Sequence, residues 1–145
     1  MTDVECLVVG AGVVGLACAR ALSKQFSVYV LEQEPQFGLH ASSRNSEVIH
    51  SGIYYPQHFM RSKLCVLGRQ KLYHYCQEHD IAHKKVGKLL VASDQIQLQK
   101  LAAIKQQAKA NAVPFEVLSQ AQLQEKEPEL IGSSALFFPE SGVVD

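Results

Sequence analysis

The sequence predicts an α/β chain that begins with a parallel βαβ unit and continues into a region of mixed helices and strands. Three observations carry that expectation. Residues 4–9 (VECLVV) are a short apolar run with the composition of a buried strand. Gly10, Gly12 and Gly15 follow at once and open an apolar stretch, 16–22, that reads as a helix. A second strand-like run, 26–31, ends immediately before the carboxylate of Glu32.

Each residue of that opening has a physical reason. Gly10 permits the tight turn out of the first strand, and Gly12 lets the backbone come close to a phosphate. Gly15 lets the helix lie close to the strand. The free N–H groups at the helix start, with the helix dipole, face an anion. Glu32 accepts hydrogen bonds from ribose hydroxyls and repels a ribose phosphate, which disfavours an NADP-like ligand. A glycine turn set between a strand and a helix, with an acidic residue closing the next strand, indicates a Rossmann-like dinucleotide unit. Parallel pairing of the two strands requires the crossover helix, expected over 13–24. Ala17 and Ala21, one turn apart, with Ala19 and Leu22 nearby, are the small and apolar residues expected to seat it on the sheet.

Residues 34–46 read as a loop, because Pro35, Gly38 and the Ser42-Ser43-Arg44-Asn45-Ser46 cluster favour turns. Residues 48–55 (VIHSGIYY) are either a short strand or an irregular segment pressed against a ligand. A helix is expected over 62–79, with Leu64, Gly68, Leu72, Tyr75 and His79 as its buried stripe. Gly68 on that stripe implies close approach of another element. Residues 88–92 read as a strand, and Asp94 as the N-cap of a helix that runs to Ala110 and stops at Asn111. Leu101, Ile104 and Ala108 mark its buried side. A strand over 115–118 precedes a short helix whose capping box is Ser119 and Gln122 and which Pro128 ends. Two further strands are expected over 135–138 and 142–144.

Composition narrows the function. The chain has 145 residues, 47% hydrophobic and 19% charged, which fits a folded domain and argues against disorder. The formal net charge is zero, so neither nucleic acid nor an anionic membrane surface is implied as partner, and Lys84-Lys85 reads as a solvated strand entry. Cys6, Cys18, Cys65 and Cys76 form no C-x-x-C pair. Cys6 and Cys18 read as small core residues, and Cys65 and Cys76 lie too far apart along one helix to bridge. Free thiols point to a reducing, cytoplasmic setting. The uncharged run 6–19 is too short for a membrane span and lacks a basic leader. His74 and His79 have no partner at ligand spacing, and no metal site is expected.

The segment SSRNSEVIHSGIYYP (42–56), placed after the glycine turn and the Leu31-Glu32-Gln33-Glu34 strand end, resembles the D-amino-acid-oxidase-type family of FAD-dependent oxidoreductases. Within that family the likeness is strongest to the L-2-hydroxyglutarate dehydrogenase/oxidase group. It continues through the 62–79 helix, residues 86–92, Glu127-Pro128-Glu129-Leu130 and the closing Gly142-Val143-Val144-Asp145. Glu47 departs from the pattern, which carries glycine there. The resemblance implies an FAD-binding part over 1–80 and the start of an α+β substrate domain over 81–145. It also implies that the chain is the N-terminal part of a longer protein.

It implies roles as well. Gly10, Ala11, Gly12, Val13, Val14 and Gly15 would hold the FAD pyrophosphate, and Glu32 with Gln33 the adenosine ribose. Ser42, Ser43, Asn45 and Ser46 would contact the pyrophosphate and ribityl region. Ile49, His50 and Ser51 would pass near the isoalloxazine. Arg44 would pair with a phosphate or a substrate carboxylate, or remain solvated. In such enzymes a C–H hydride passes to the flavin while a base takes the hydroxyl proton. His50 is the candidate for that base or a positioning group, the alternative being a hydrogen bond within its own loop. Tyr54 and Tyr55 would line a pocket or pack in the core.

The activity implied is oxidation of a 2-hydroxy acid, L-2-hydroxyglutarate to 2-oxoglutarate, with oxygen or a quinone as electron acceptor. The longer form would be cytoplasmic or peripheral to a membrane. An amino acid or glycerol 3-phosphate is the alternative substrate, and a non-catalytic nucleotide-binding remnant the alternative class. An NAD-dependent dehydrogenase is disfavoured, because the 42–46 loop has no role in that fold. The 145-residue chain alone is expected to bind FAD weakly or not at all and to be inactive.

Overall fold

A computed structural model describes residues 3–145. By contacts the chain divides into two compact units, Met1–Ser46 and Glu47–Asp145. The division falls after the serine-rich loop, earlier than the boundary at residue 80 implied by the resemblance, because the 60–78 helix makes its hydrogen bonds to residues 51 and 140.

In the first unit, β1 (Cys6–Val9) pairs in parallel with β2 (Val28–Leu31), and α1 (Val13–Leu22) makes the crossover. Gly10 takes φ +98°, the left-handed turn that only glycine adopts freely. The helix stops two residues short of expectation, with Ser23 as C-cap. Its sheet-facing stripe is Gly15, Ala19 and Leu22, whereas Ala17, Cys18 and Ala21 are exposed. Helical phase set by Gly15 therefore turns Cys18 outward, against the expectation of a core residue. The sheet face away from α1 is bare. Leu7 pairs with Tyr29 and Val9 with Leu31, and these four are 50–80% exposed. Parallel sheets are ordinarily covered on both faces, so this is an uncovered core surface.

In the second unit, β3 (Val48–Ile49), β4 (His83–Lys84) and β8 (Gly142–Val144) form an antiparallel sheet in the order β3-β8-β4. β5 (Lys88–Ala92), β6 (Glu116–Ser119) and β7 (Ser134–Phe138) form another in the order β5-β7-β6. The helices are α2 (Met60–Glu78), α3 (Gln95–Ala110) and α4 (Gln120–Lys126). The two-residue β4 was not anticipated, since His83 and Lys84 carry no strand signal. Lys84 is thus a strand residue in its own right, and Lys85 is ion-paired with Glu140 at 3.3 Å.

Period-2 alternation partitions the core of the larger sheet. Leu90, Ala92, Leu136 and Phe138 join Leu101, Ile104, Ala108 and Phe115 on the α3 side, while Leu89, Val91, Ala135 and Phe137 group with Leu118 and Leu123 of α4. Asp94 caps α3 by accepting from Gln97 N–H, and the Ser119–Gln122 capping box opens α4. For α2 the buried stripe is Ser62, Arg69, Tyr73 and Cys76. Leu64 is 59% exposed, and a Cβ on Gly68 would meet nothing within 4 Å. The expected stripe is out of phase because polar residues, anchored to main-chain carbonyls, occupy the inner face.

Candidate functional site

The N-terminal unit gathers its predicted residues at the C-terminal ends of β1 and β2. A Cβ on Gly15 would fall on the carbonyl of Gly10, so helix and turn are in contact. A Cβ on Gly12 would lie 3.2 Å from Ser42 Oγ, and Val13 N–H donates to that same hydroxyl at 3.0 Å. An acceptor oxygen therefore already sits against the first turn of α1, which carries no acidic side chain of its own. The N–H groups of Val14 and Gly15 have no partner within the helix, as in any first turn.

Glu32 closes β2 and reaches back to the turn. One carboxylate oxygen accepts Ala11 N–H at 2.6 Å, and the other accepts Gln33 N–H at 2.8 Å and Glu34 N–H at 3.1 Å. These donors, Ala11 first, hold its carboxyl below the ordinary value. An open groove of about 640 Å³ runs beside it, lined by Ala11, Glu32, Glu34, Pro35, Gln36 and Phe37. In the 42–46 loop Ser43 Oγ donates to His40 C=O at 3.2 Å and Asn45 Nδ2 to Ser42 C=O at 2.8 Å. These bonds hold the loop's own shape. Ser43, Arg44, Asn45 and Ser46 are all exposed.

The second unit holds Ile49 and His50. Ile49 is 2% exposed and paired with Gly142, so packing consumes its side chain. His50 is exposed and lines a small cavity of about 60 Å³ with residues 51–55, Cys65, Lys88 and Ser141. Tyr54 and Tyr55 both line it and both are exposed, so neither packs in the core. The segment is irregular beyond Ile49, and side chains take up its carbonyls. Cys65 Sγ donates to His50 C=O at 3.6 Å and Arg69 to Ser51 C=O at 2.9 Å. Asn111 Nδ2 donates to both Gly52 and Tyr55 C=O at 2.8 Å. Burial pushes the Cys65 thiol up, which keeps it a protonated donor.

Arg69, Asn111, Lys88 and Ser141 were missed as site residues. Asn111 was read only as a helix stop. Lys88 left a legible signal, a lysine on the core row that continues as Leu90 and Ala92. Arg69 left a weaker one, an arginine on the inner face of a helix. Among the described residues all four cysteines are free thiols, and no group of three or more His, Cys, Asp or Glu is placed to hold a metal.

Glycine turn, acidic strand end and serine loop define a nucleotide-cofactor flavoprotein unit, and comparison with known proteins gives the class. The family of FAD dependent oxidoreductases matches residues 5–145, and the chain belongs to it. Among curated relatives it is 45% identical over 144 residues to the mitochondrial L-2-hydroxyglutarate dehydrogenase of Arabidopsis thaliana, covering 98% of this chain and 30% of that protein. It is 41% identical over 145 residues to the protein of the same name from Homo sapiens, covering 97% and 31%. The chain thus spans about a third of the length of these relatives. The reduced, FAD-bound L-alpha-glycerophosphate oxidase of Mycoplasma pneumoniae superposes with a TM-score of 0.89 at 28% identity, over 100% of this chain and 40% of that one.

The residues present fit FAD. Gly12 leaves space that a Cβ would fill, Val13 N–H already serves an oxygen acceptor, and an open groove of about 640 Å³ lies beside Glu32.

Proposed function

We propose that this chain forms the cofactor-gripping part of an FAD-dependent oxidoreductase that converts L-2-hydroxyglutarate to 2-oxoglutarate. The observation that carries the cofactor half is the α1 N-terminus, with Val13 N–H on the Ser42 hydroxyl and Glu32 tied to Ala11. The substrate reading is supported by the 45% and 41% identity to two L-2-hydroxyglutarate dehydrogenases. The likeness to an L-alpha-glycerophosphate oxidase supports glycerol 3-phosphate as a second reading.

Residues Gly10, Ala11, Gly12, Val13, Val14 and Gly15 would hold the pyrophosphate, with the main-chain N–H groups of Val14 and Gly15 as donors, since those of Gly10, Ala11 and Val13 already serve Leu31, Glu32 and Ser42. Glu32 and Gln33 would hold the adenosine ribose, and Ser42, Ser43, Arg44, Asn45 and Ser46 the remainder of the phosphate–polyol chain. Bound FAD supplies a two-electron acceptor for the hydride leaving C2 of the substrate. His50 takes the 2-hydroxyl proton on a ring nitrogen, so the alcohol carbon becomes a carbonyl as hydride and proton part. Cys65 and Arg69 fix the main chain on either side of the His50–Ser51 peptide and so orient that imidazole. Ile49 contributes through its main chain, its side chain being buried.

Among the described residues no helix is long and apolar enough to cross a membrane. The free thiols support a reducing compartment, with the cytoplasm as our reading and the mitochondrial relatives as the competing one. Oxygen or a quinone would reoxidise the flavin. The test is anaerobic addition of L-2-hydroxyglutarate to a full-length, FAD-loaded protein of this family that contains these residues, the 145-residue chain alone being expected to show no turnover. Loss of the oxidised flavin absorbance is expected, with no such loss on adding L-alpha-glycerophosphate or glycine. Bleaching by either of those instead overturns the substrate. In that full-length protein, failure of FAD to shift the amide resonances of Gly10, Gly12 and Val13 overturns the cofactor site.

A further inference from the structure

Lys88 stands where the strand pattern calls for an apolar residue. It begins the row Lys88, Leu90, Ala92 on the α3 face of β5, and its pairing partner on β7 is Phe138, which is fully buried. Lys88 is half-buried, with its stem along that row and its side chain lining the small cavity beside His50. Among the described residues no carboxylate lies within ion-pair distance of it, the nearest compensation being the Tyr54 ring with Nζ 4.9 Å from the centroid. The same small cavity holds a second unmet group. Ser141 is 2% exposed, lines the cavity, and its Oγ has no hydrogen-bond partner. A buried hydroxyl without a partner costs about 1–3 kcal/mol, so the position asks for an acceptor.

We propose that this cavity is a carboxylate subsite, in which Lys88 and Ser141 take one carboxylate of a dicarboxylic 2-hydroxy acid. The proposal rests on the 2-hydroxy-acid reading above and names the side chains that would select an acidic substrate. The volume of about 60 Å³ suits a small planar anion and its nearest atoms, with the rest of the molecule outside. A carboxylate supplies what both groups lack, an anion for the ammonium and an acceptor for the hydroxyl. His50 lines the same cavity, so a substrate anchored there presents its carbinol carbon near the imidazole. Cys65, which also lines it, already donates to the His50 carbonyl and takes no part in the anion's recognition.

The experiment follows amide resonances of the isotope-labelled full chain during titration with glutarate, inorganic phosphate and uncharged glutaramide. Saturable glutarate shifts confined to residues 51–55, Lys88 and Ser141 are expected, with none from glutaramide. Lys88→Met weakens glutarate about tenfold, as expected for losing a charged hydrogen bond. Lys88→Arg restores part of it, and Lys100→Met, on the exposed face of α3, changes nothing. Ser141→Ala, which keeps the charge and the packing, gives a smaller loss and stands in should Lys88→Met spoil the spectrum's dispersion. Equal shifts from glutaramide, or phosphate binding as tightly as glutarate, overturn the assignment. Absent glutarate shifts in a chain whose spectrum stays well dispersed overturn the subsite alone, while the cofactor reading stands or falls with FAD binding by the full-length protein.

Discussion

Replacing Gly15 by alanine is expected to destabilise the N-terminal unit even though alanine is the better helix former. The new Cβ would collide with the carbonyl oxygen of Gly10, lie 3.1 Å from its carbon, and stand 3.5 Å from Val8 Cγ1. The obstacle is backbone at the exit of β1, so no side chain can swing aside. Relief requires α1 to retreat from the sheet, which also breaks the alignment of Val13 N–H with Ser42. Overpacking costs about 1–3 kcal/mol, and a backbone collision belongs at the upper end. Glycine to alanine within a helix returns about 1 kcal/mol. The balance is a loss of about 2 kcal/mol, a roughly thirtyfold rise in the population of opened α1. Gly68→Ala is the control. Gly68 lies within α2, and its Cβ would meet nothing within 4 Å, so the propensity gain of about 1 kcal/mol should appear alone. Because two compact units can open separately, amide hydrogen exchange of the α1 residues is the readout, with α2 amides as internal reference. Unchanged α1 protection in Gly15→Ala would refute the claim that helix–turn contact is what this glycine provides.

Three other outcomes follow from the same geometry. The Glu32 carboxyl is held below its ordinary 4.5, so its anchor on Ala11 is fully present above that pH and is lost as pH falls through the depressed value. The Ala11 amide should lose protection on acidification, and Glu32→Gln should remove the pH dependence. Glu47 sits at φ +55°, in the left-handed region, where family resemblance expects glycine. Glu47→Gly should stabilise the chain by up to about 1 kcal/mol, relief of strain exceeding the added freedom of the unfolded state, and a lower urea midpoint would contradict this. Asn111→Ala removes both donors to Gly52 and Tyr55 and should cost about 2 kcal/mol, seen as increased exchange and line broadening across residues 51–55.

What was legible in the sequence is what short-range chemistry dictates. The glycine turn, Glu32, the Asp94 cap and the Ser119–Gln122 box are each set by neighbours within a few residues or by one strand–helix contact, and each stands where its residues predict. The inner face of α2 was illegible for the opposite reason. Periodicity assigns burial to apolar residues, but here Arg69 and Tyr73 point inward, because Ser51 and Glu140, distant in sequence, offer main-chain carbonyls. Strand β4 likewise exists only because β8 supplies its ladder. Ala17 and Cys18 were misassigned by phase. One glycine locked against β1 fixes which side of α1 faces the sheet, and composition alone does not reveal that phase.

The segment that carries His50 draws these threads together. It is neither helix nor strand after Ile49, so its carbonyls have no ladder to accept from. Those of His50, Ser51, Gly52 and Tyr55 accept instead from Cys65, Arg69 and Asn111. A buried carbonyl without a donor costs about 1–3 kcal/mol, which applies most to Ser51, while the more exposed bonds at His50 and Tyr55 add to the same conformation. The segment thus combines an irregular path with fixed main-chain contacts. It also explains why polar residues occupy helix positions where pattern reading expects packing. Arg69 spends one donor on Ser51 and keeps Nε 3.8 Å from Glu140 Oε2, an oxygen it shares with Lys85. α2 therefore fixes the loop's main chain from its polar inner face, while α3 fills the core with Leu101 and Ala108 and reaches the loop only through its C-cap, Asn111.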